Sequence, residues 1–146
     1  MTPGLRSITA IPANVVFTTN VVLSTVGLTS PIAKNERQKL RFWVPFSLGA
    51  TGGCNVQLAV PAGGTIFLAT IKYLDVAGNA VVLAGQTASA AFGNALTGAA
   101  NYWVEVEALI INGATAGNVD LLMAQNSSDA LSMTVLRGGS LEVVKF

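Results

Sequence analysis

A chain of 146 residues is long enough for one hydrophobic core and too short for a second, since single cores commonly hold about 100–200 residues. Charged residues make up 10% of the chain and apolar ones 51%, against about 25% charged in an ordinary soluble domain, so the missing polarity is on the surface. A net charge of +1 leaves no basic face for nucleic acid, and the absence of His removes catalysis by Ser–His or Cys–His pairs.

The N-terminal stretch Met1 to Ala13 carries one Arg and two Pro but no continuous apolar run, so it is not expected to be the apolar region of a secretory signal. Residues 1–14 read as a short extended arm suited to strand addition to a neighbour, and residues 15–146 as a single domain. Runs rich in Val, Ile, Leu, Phe and Thr then recur between Gly, Pro, Asn and Asp, which predicts short strands joined by turns. The predicted strands are Val15 to Leu23, Leu40 to Leu48, Asn55 to Val60, Thr65 to Tyr73, Val81 to Ala84, Tyr102 to Ile111, Val119 to Gln125, Leu131 to Leu136 and Leu141 to Lys145. About eight or nine antiparallel strands suit an all-β sandwich or jelly roll.

Alternation assigns faces. From Arg37 to Leu48, Leu40, Phe42, Val44, Phe46 and Leu48 point inward, while Arg37, Lys39, Arg41, Trp43 and Pro45 point outward. Pro45 lacks a ladder donor and predicts an edge or a bulge. From Tyr102 to Ile111, Tyr102, Val104, Val106, Ala108 and Ile110 share the core face, and Trp103, Glu105, Glu107, Leu109 and Ile111 the other. Gly49 to Gly53, Pro61 to Gly64, Asp75 to Asn79, Asn112 to Gly117, Asn126 to Asp129 and Gly138-Gly139 supply turn residues. Gly85 to Asn101 reads as a long loop, with Phe92 and Leu96 as its one helical hint. Gly and Asn interrupt the uncharged stretch Val76 to Val104 too often for a membrane span.

Chemistry is sparse. Glu105 and Glu107 at i and i+2 stand about 6.5–7 Å apart on one face, a spacing open to a glycosidase pair. The competing reading is a structural stripe that faces Arg37, Lys39 and Arg41 within or between subunits. The glycine-rich run Gly49 to Gly53 lacks the Lys-Ser/Thr of a phosphate loop, and Asp75, Asp120 and Asp129 fall in no calcium-loop register. Cys54 is alone, so it forms no disulfide within the chain, and no cofactor is expected. Trp43 and Trp103 fall on outward faces, as anchors for a partner, unless a bulge turns one of them into the core.

A surface depleted of charge matches the core of a permanent interface, because burying an unpaired charge costs several kcal/mol or more. The sequence therefore predicts a homo-oligomer, with Arg37, Lys39, Arg41, Trp43, Trp103, Glu105 and Glu107 as its interface. Reversing Glu105 and Glu107 to Lys is expected to weaken assembly and leave the fold intact. The alternative is a sparingly soluble monomer kept wet by Gly, Ala, Ser, Thr and Asn.

Three stretches of the C-terminal third, Asn112-Gly113-Ala114-Thr115-Ala116-Gly117-Asn118-Val119, Ala124-Gln125-Asn126-Ser127-Ser128-Asp129-Ala130 and Thr134-Val135-Leu136-Arg137-Gly138-Gly139-Ser140-Leu141, carry a resemblance. The sequence resembles small jelly-roll structural proteins of tailed bacteriophage virions, more closely over Tyr102 to Phe146 than upstream. Met123 departs from the pattern, where an aromatic is expected. The resemblance implies a non-enzymatic virion protein, made in the bacterial cytoplasm. It also implies a trimer that either decorates and cements the capsid lattice against the major capsid protein or caps a fibre that binds a host receptor or glycan.

Overall fold

The computed structural model describes residues 6–17, 22–48, 53–74, 80–84, 101–125 and 133–146. Among them the chain forms eleven strands and no helix: β1 (Arg6–Ala10), β2 (Val15–Phe17), β3 (Ser24–Ile32), β4 (Arg37–Ser47), β5 (Cys54–Ala59), β6 (Thr65–Leu74), β7 (Ala80–Ala84), β8 (Asn101–Ile111), β9 (Gly117–Gln125), β10 (Met133–Val135) and β11 (Ser140–Lys145). Eight of them build the larger sheet in the order β1-β11-β4-β8-β6-β7, with β10 joining β4 and β2 joining β10. The other three form a smaller sheet, β3-β9-β5. All pairs are antiparallel, and the facing sides of the two sheets enclose one core: the chain is an all-β sandwich. Of the predicted loop Gly85 to Asn101, residues 85–100 lie outside the described residues, as do Asp75 and Asp129, while Asn101 belongs to β8.

The larger sheet is organised on β4 and β8, which pair without a break from Arg37 opposite Ile111 to Ser47 opposite Asn101. Strict alternation therefore holds across both. Leu40, Phe42, Val44 and Phe46 are buried beside Val104, Val106, Ala108 and Ile110, as their spacing predicts. Phe46 stacks on Tyr102 at 5.8 Å between ring centroids. From the smaller sheet Val26, Leu28, Ile32, Leu121 and Met123 meet them, and Met123 is fully buried, filling the site where an aromatic was expected. Ser30 and Gln38 tie the sheets by a polar contact: the Gln38 amide donates to the Pro31 carbonyl at 2.8 Å and accepts from the Ser30 hydroxyl at 2.9 Å.

Pro45 lies in the interior strand β4 at a bulge, one of the two placements its missing donor predicts. Its carbonyl accepts the Leu136 N–H at 2.9 Å, so its nitrogen also faces the junction between β10 and β11. There the ladder is interrupted. Val135 pairs with Phe46 and Ser140 with Trp43, so the outer strand takes five steps while β4 takes three. Gly138, at φ 90°, and Gly139 form a glycine bulge against Ile11, whose N–H donates to Gly139 O at 2.8 Å and whose carbonyl accepts from Gly138 N–H at 3.0 Å. The predicted Gly138-Gly139 turn is thus a kink in a strand that continues along β4. On its far side, β1 and β2 follow the same detour in unbroken register.

Two strands depart from the sequence reading. Residues 24–32, with Gly27 and Pro31, were not expected as a strand, yet β3 accommodates both. Gly27 takes φ 82° inside a bulge where β3 makes four steps, Thr25 to Thr29, against two on β9. A two-residue excess keeps the inward phase, so Val26 and Leu28 are both fully buried. The Pro31 carbonyl is turned toward Gln38 and Lys145, so the missing N–H costs no ladder bond. Residues 6–10, inside the segment read as an arm, are extended and paired along β11 of the same chain.

Asp120, on the outer face of β9 opposite Thr29 and Ala59, is raised above the ordinary carboxylate range by burial. A raised folded value means that ionisation of Asp120 costs stability above that value, and the cost vanishes as pH falls and the folded carboxyl protonates. Asp120→Asn is therefore expected to raise stability slightly at neutral pH, by about 0.5 kcal/mol or less, with the gain disappearing in acid. Thermal melts of both proteins at neutral and acid pH check this.

Candidate functional site

The residues picked out in the sequence converge on the outer face of the larger sheet. Cross-strand registers set them in rows: Ala10, Ser140, Trp43, Glu105, Lys72 and Val82 in one, Ile8, Glu142, Arg41, Glu107 and Thr70 in the next. Trp43 and Trp103 both point outward, because the β4–β8 register contains no bulge that would turn either into the core. Trp43 is 41% exposed and Trp103 half-buried.

The charges on this face largely satisfy one another within one chain. Glu105 accepts from Arg41 Nη2 at 2.6 Å and Arg41 Nε at 3.2 Å, and its other oxygen accepts from Lys72 Nζ at 3.1 Å. Glu107 lies 3.6 Å from Arg41, and Arg6 pairs with Glu142 at 3.0 Å. Burial pushes the Glu105 carboxyl up, but the hydrogen bonds and charges of Arg41 and Lys72 outweigh it and hold the group below its ordinary range. The Glu105 side chain is 9% exposed while Arg41 and Lys72 are 53% and 38% exposed, so the carboxylate is covered by its two cations rather than by depth in the protein.

This geometry changes two sequence expectations. A carboxyl held ionised by two cations is poorly suited to donate a proton, which weighs against a glycosidase acid at Glu105. Reversal of Glu105 and Glu107 strikes the fold as well as any contact with a neighbour, because the partners of Glu105 belong to its own sheet. Lys72, Glu142 and Arg6 belong to the face and were not singled out in the sequence. Each alternates outward on its strand, but which strands lie side by side is not written in local spacing. Among the described residues Arg37 and Lys39 enter no ion pair.

Around this network the face is apolar. Ile8 is 66%, Phe67 60%, Val82 55% and Phe146 71% exposed, and Leu109, Ile111 and Val144 are half-buried. Phe67 is forced out by a one-residue bulge: Ile66 pairs with Ile110 but Leu68 with Leu109, which lets Ile66 and Ala69, three apart, both point into the core. The face has shallow depressions instead of a deep cleft. One of about 300 Å³ is lined by Lys39, Thr70, Glu107, Leu109 and Phe146, and one of about 240 Å³ by Arg41, Trp43, Ser140 and Glu142. No group of three His, Cys, Asp or Glu converges among the described residues, and none of them forms a helix long and apolar enough to cross a membrane.

No family model and no curated protein matches this chain. Among solved structures, the infectious bursal disease virus Gx strain is 12% identical, with 97% of this chain and 40% of that one covered at a TM-score of 0.29. A CocE/NonD family hydrolase from Staphylococcus aureus is 11% identical, with 99% and 33% covered at 0.30. The CBM22-1 xylan-binding domain of Xyn10C from Paenibacillus barcinonensis is 14% identical, with 95% and 86% covered at 0.28. The chain spans two fifths of the viral protein and one third of the hydrolase, and likenesses at this level carry no argument about function.

Proposed function

We propose that the protein is a non-enzymatic structural subunit of a virion that assembles with copies of itself through the outer face of the larger sheet. The observation that carries this reading is the combination on that face of exposed Ile8, Trp43, Phe67 and Val82 with a charge cluster that is neutralised internally. Over the rows of Trp43 and Arg41 a surface of this kind loses apolar exposure on association without leaving a buried charge unpaired, and Arg37 and Lys39 lie beyond those rows. More specifically, the resemblance to small structural proteins of tailed bacteriophages supports a trimeric, jelly-roll-derived decoration protein that cements the head lattice against the major capsid protein. That reading is supported by the strand orders β1-β11-β4-β8 and β3-β9-β5, which set early strands beside late ones in both sheets.

A second reading, a fibre module for a host receptor or glycan, is favoured by the depression at Trp43, where an exposed indole stands beside the polar groups of Arg41, Ser140 and Glu142. Imaging of particles lacking the protein separates the two. Weakened or bare capsids support cementing, whereas intact capsids that fail to adsorb support the fibre.

Self-association itself is tested by Trp43→Ala combined with Trp103→Ala. Each indole that becomes buried contributes on the order of 2–3 kcal/mol, so the double variant is expected to weaken association by a hundredfold or more, with the near-ultraviolet and thermal signatures of the fold retained. Unchanged mass in sedimentation would remove this face from the assembly.

A further inference from the structure

The outer edge of β1 ends the larger sheet with no described strand beside it. The backbone groups of Ile11 face β11 through their bonds to Gly139 and Gly138, so alternation turns those of Thr9 and Ser7 the same way. The N–H and C=O groups of Arg6, Ile8 and Ala10 therefore point to the opposite side, where none of the described strands pairs with them. All five residues of β1 are exposed. Two other free edges carry devices that discourage pairing, the Gly27 bulge and Pro31 in β3 and the three-residue length of β2, while β5 and β7 end their sheets without proline, glycine or charge as β1 does without proline or glycine. β1 has no proline, glycine or bulge, and its one charge, Arg6, is paired with Glu142.

We infer that β1 pairs edge to edge with β1 of a second copy, antiparallel and centred on Ile8. In that register Ile8 stands opposite the partner's Ile8, Ser7 opposite the partner's Thr9, and Arg6 opposite the partner's Ala10. The outward N–H groups of Arg6, Ile8 and Ala10 on each copy meet carbonyls of the other, an apolar side chain meets its equivalent, and no like charges face each other. A register displaced by four residues toward the N-terminus sets Arg6 against the partner's Arg6 and is disfavoured by charge, and the centred one pairs the most residues of β1. The contact joins the larger sheets of two subunits into one continuous sheet and leaves the outer face free. A subunit with both contacts joins more copies than either contact does alone. The inference rests on the reading that copies self-associate, but it uses the backbone edge of β1, whose Ile8 side chain also belongs to the outer face.

Ile8→Pro tests it, because the substitution removes an N–H that points to the free edge and none that bonds β11. Sedimentation is expected to show association weakened at least tenfold, with circular dichroism and thermal midpoint close to those of the parent. Ile8→Cys is the second variant. Directly opposed Cα atoms about 5.5 Å apart fall within disulfide range, so air oxidation is expected to give a covalent dimer. Cys54 does not compete, since burial pushes its thiol up to about 12. If Ile8→Cys forms no dimer and Ile8→Pro, where it folds, associates like the parent, the edge contact is overturned. Dissociation by the Trp43 and Trp103 double variant would then still uphold the face. If Ile8→Pro dissociates and the tryptophan variant does not, the edge stands and the face falls. A parent that stays monomeric throughout overturns both.

Discussion

Glu105→Lys is expected to lower stability by about 3 kcal/mol, or roughly 10 °C in thermal midpoint for a domain of this size. The substitution exchanges a covered carboxylate that accepts from Arg41 and Lys72 for a third cation between them. The full 3–5 kcal/mol typical of a broken buried pair is discounted because both cations are more than a third exposed and water screens them. Glu105→Gln keeps the shape and loses only the charge, so about 1–2 kcal/mol is expected. The pH dependence follows from the sign of the shift. A carboxyl whose folded value is lowered contributes stability that is complete above the ordinary glutamate value of 4.5 and is lost as pH falls through the lowered value. Glu36 adds in the same direction. Burial raises it, but the Ala33 N–H, Lys145 and Gln38 outweigh burial and lower it. Thermal melts from neutral pH into acid are therefore expected to show the parent weakening below pH 4.5, with the difference between parent and Glu105→Gln shrinking in the same range.

Gly113→Ala is expected to cost about as much, around 3 kcal/mol, for a steric reason. A Cβ at this position would stand 2.5 Å from the carbonyl oxygen and 2.9 Å from the carbonyl carbon of Gly63, and backbone cannot rotate away as a side chain can. The neighbourhood is also a clasp of three turns. Asn112 donates to the carbonyls of Ala33 and Thr115 at 2.8 Å each, its N–H donates to Glu36 O at 2.9 Å, and the Asn35 N–H donates to Gly113 O at 2.8 Å. Displacing Gly113 strains contacts between the β3–β4, β5–β6 and β8–β9 turns together. Gly63→Ala is a useful contrast. Its Cβ would meet nothing within 4 Å, so the strain of φ 80° is the main cost, on the order of 1 kcal/mol. Urea titration of both variants checks the order.

The parts of the fold legible in the sequence were those where one face is wet and the other dry. β4 and β8 alternate without error because they pair without a bulge, and Pro45 announced a break that the structure places at the β10–β11 junction. What was not legible arose where three-dimensional pairing overrides local spacing. Residues 24–32 were not among the predicted strands, and Gly27 and Pro31 occupy a bulge and an outward-facing edge position of β3. In β6 strict alternation would place Ile66 and Ile71 on opposite faces, and only the bulge at Phe67 brings both inside. The charged pattern of the site was visible in Arg41, Glu105 and Glu107. Lys72, the second cation on Glu105, was not, because nothing in a strand's own sequence says which strand lies beside it.

The outer face of the larger sheet is the centre of the account, and sedimentation of the unmodified protein over a micromolar range tests it most directly. The account predicts a species whose mass is a multiple of 15.0 kDa, dissociating on dilution or on removal of Trp43 and Trp103. A single stable species of 15.0 kDa across that range would contradict it.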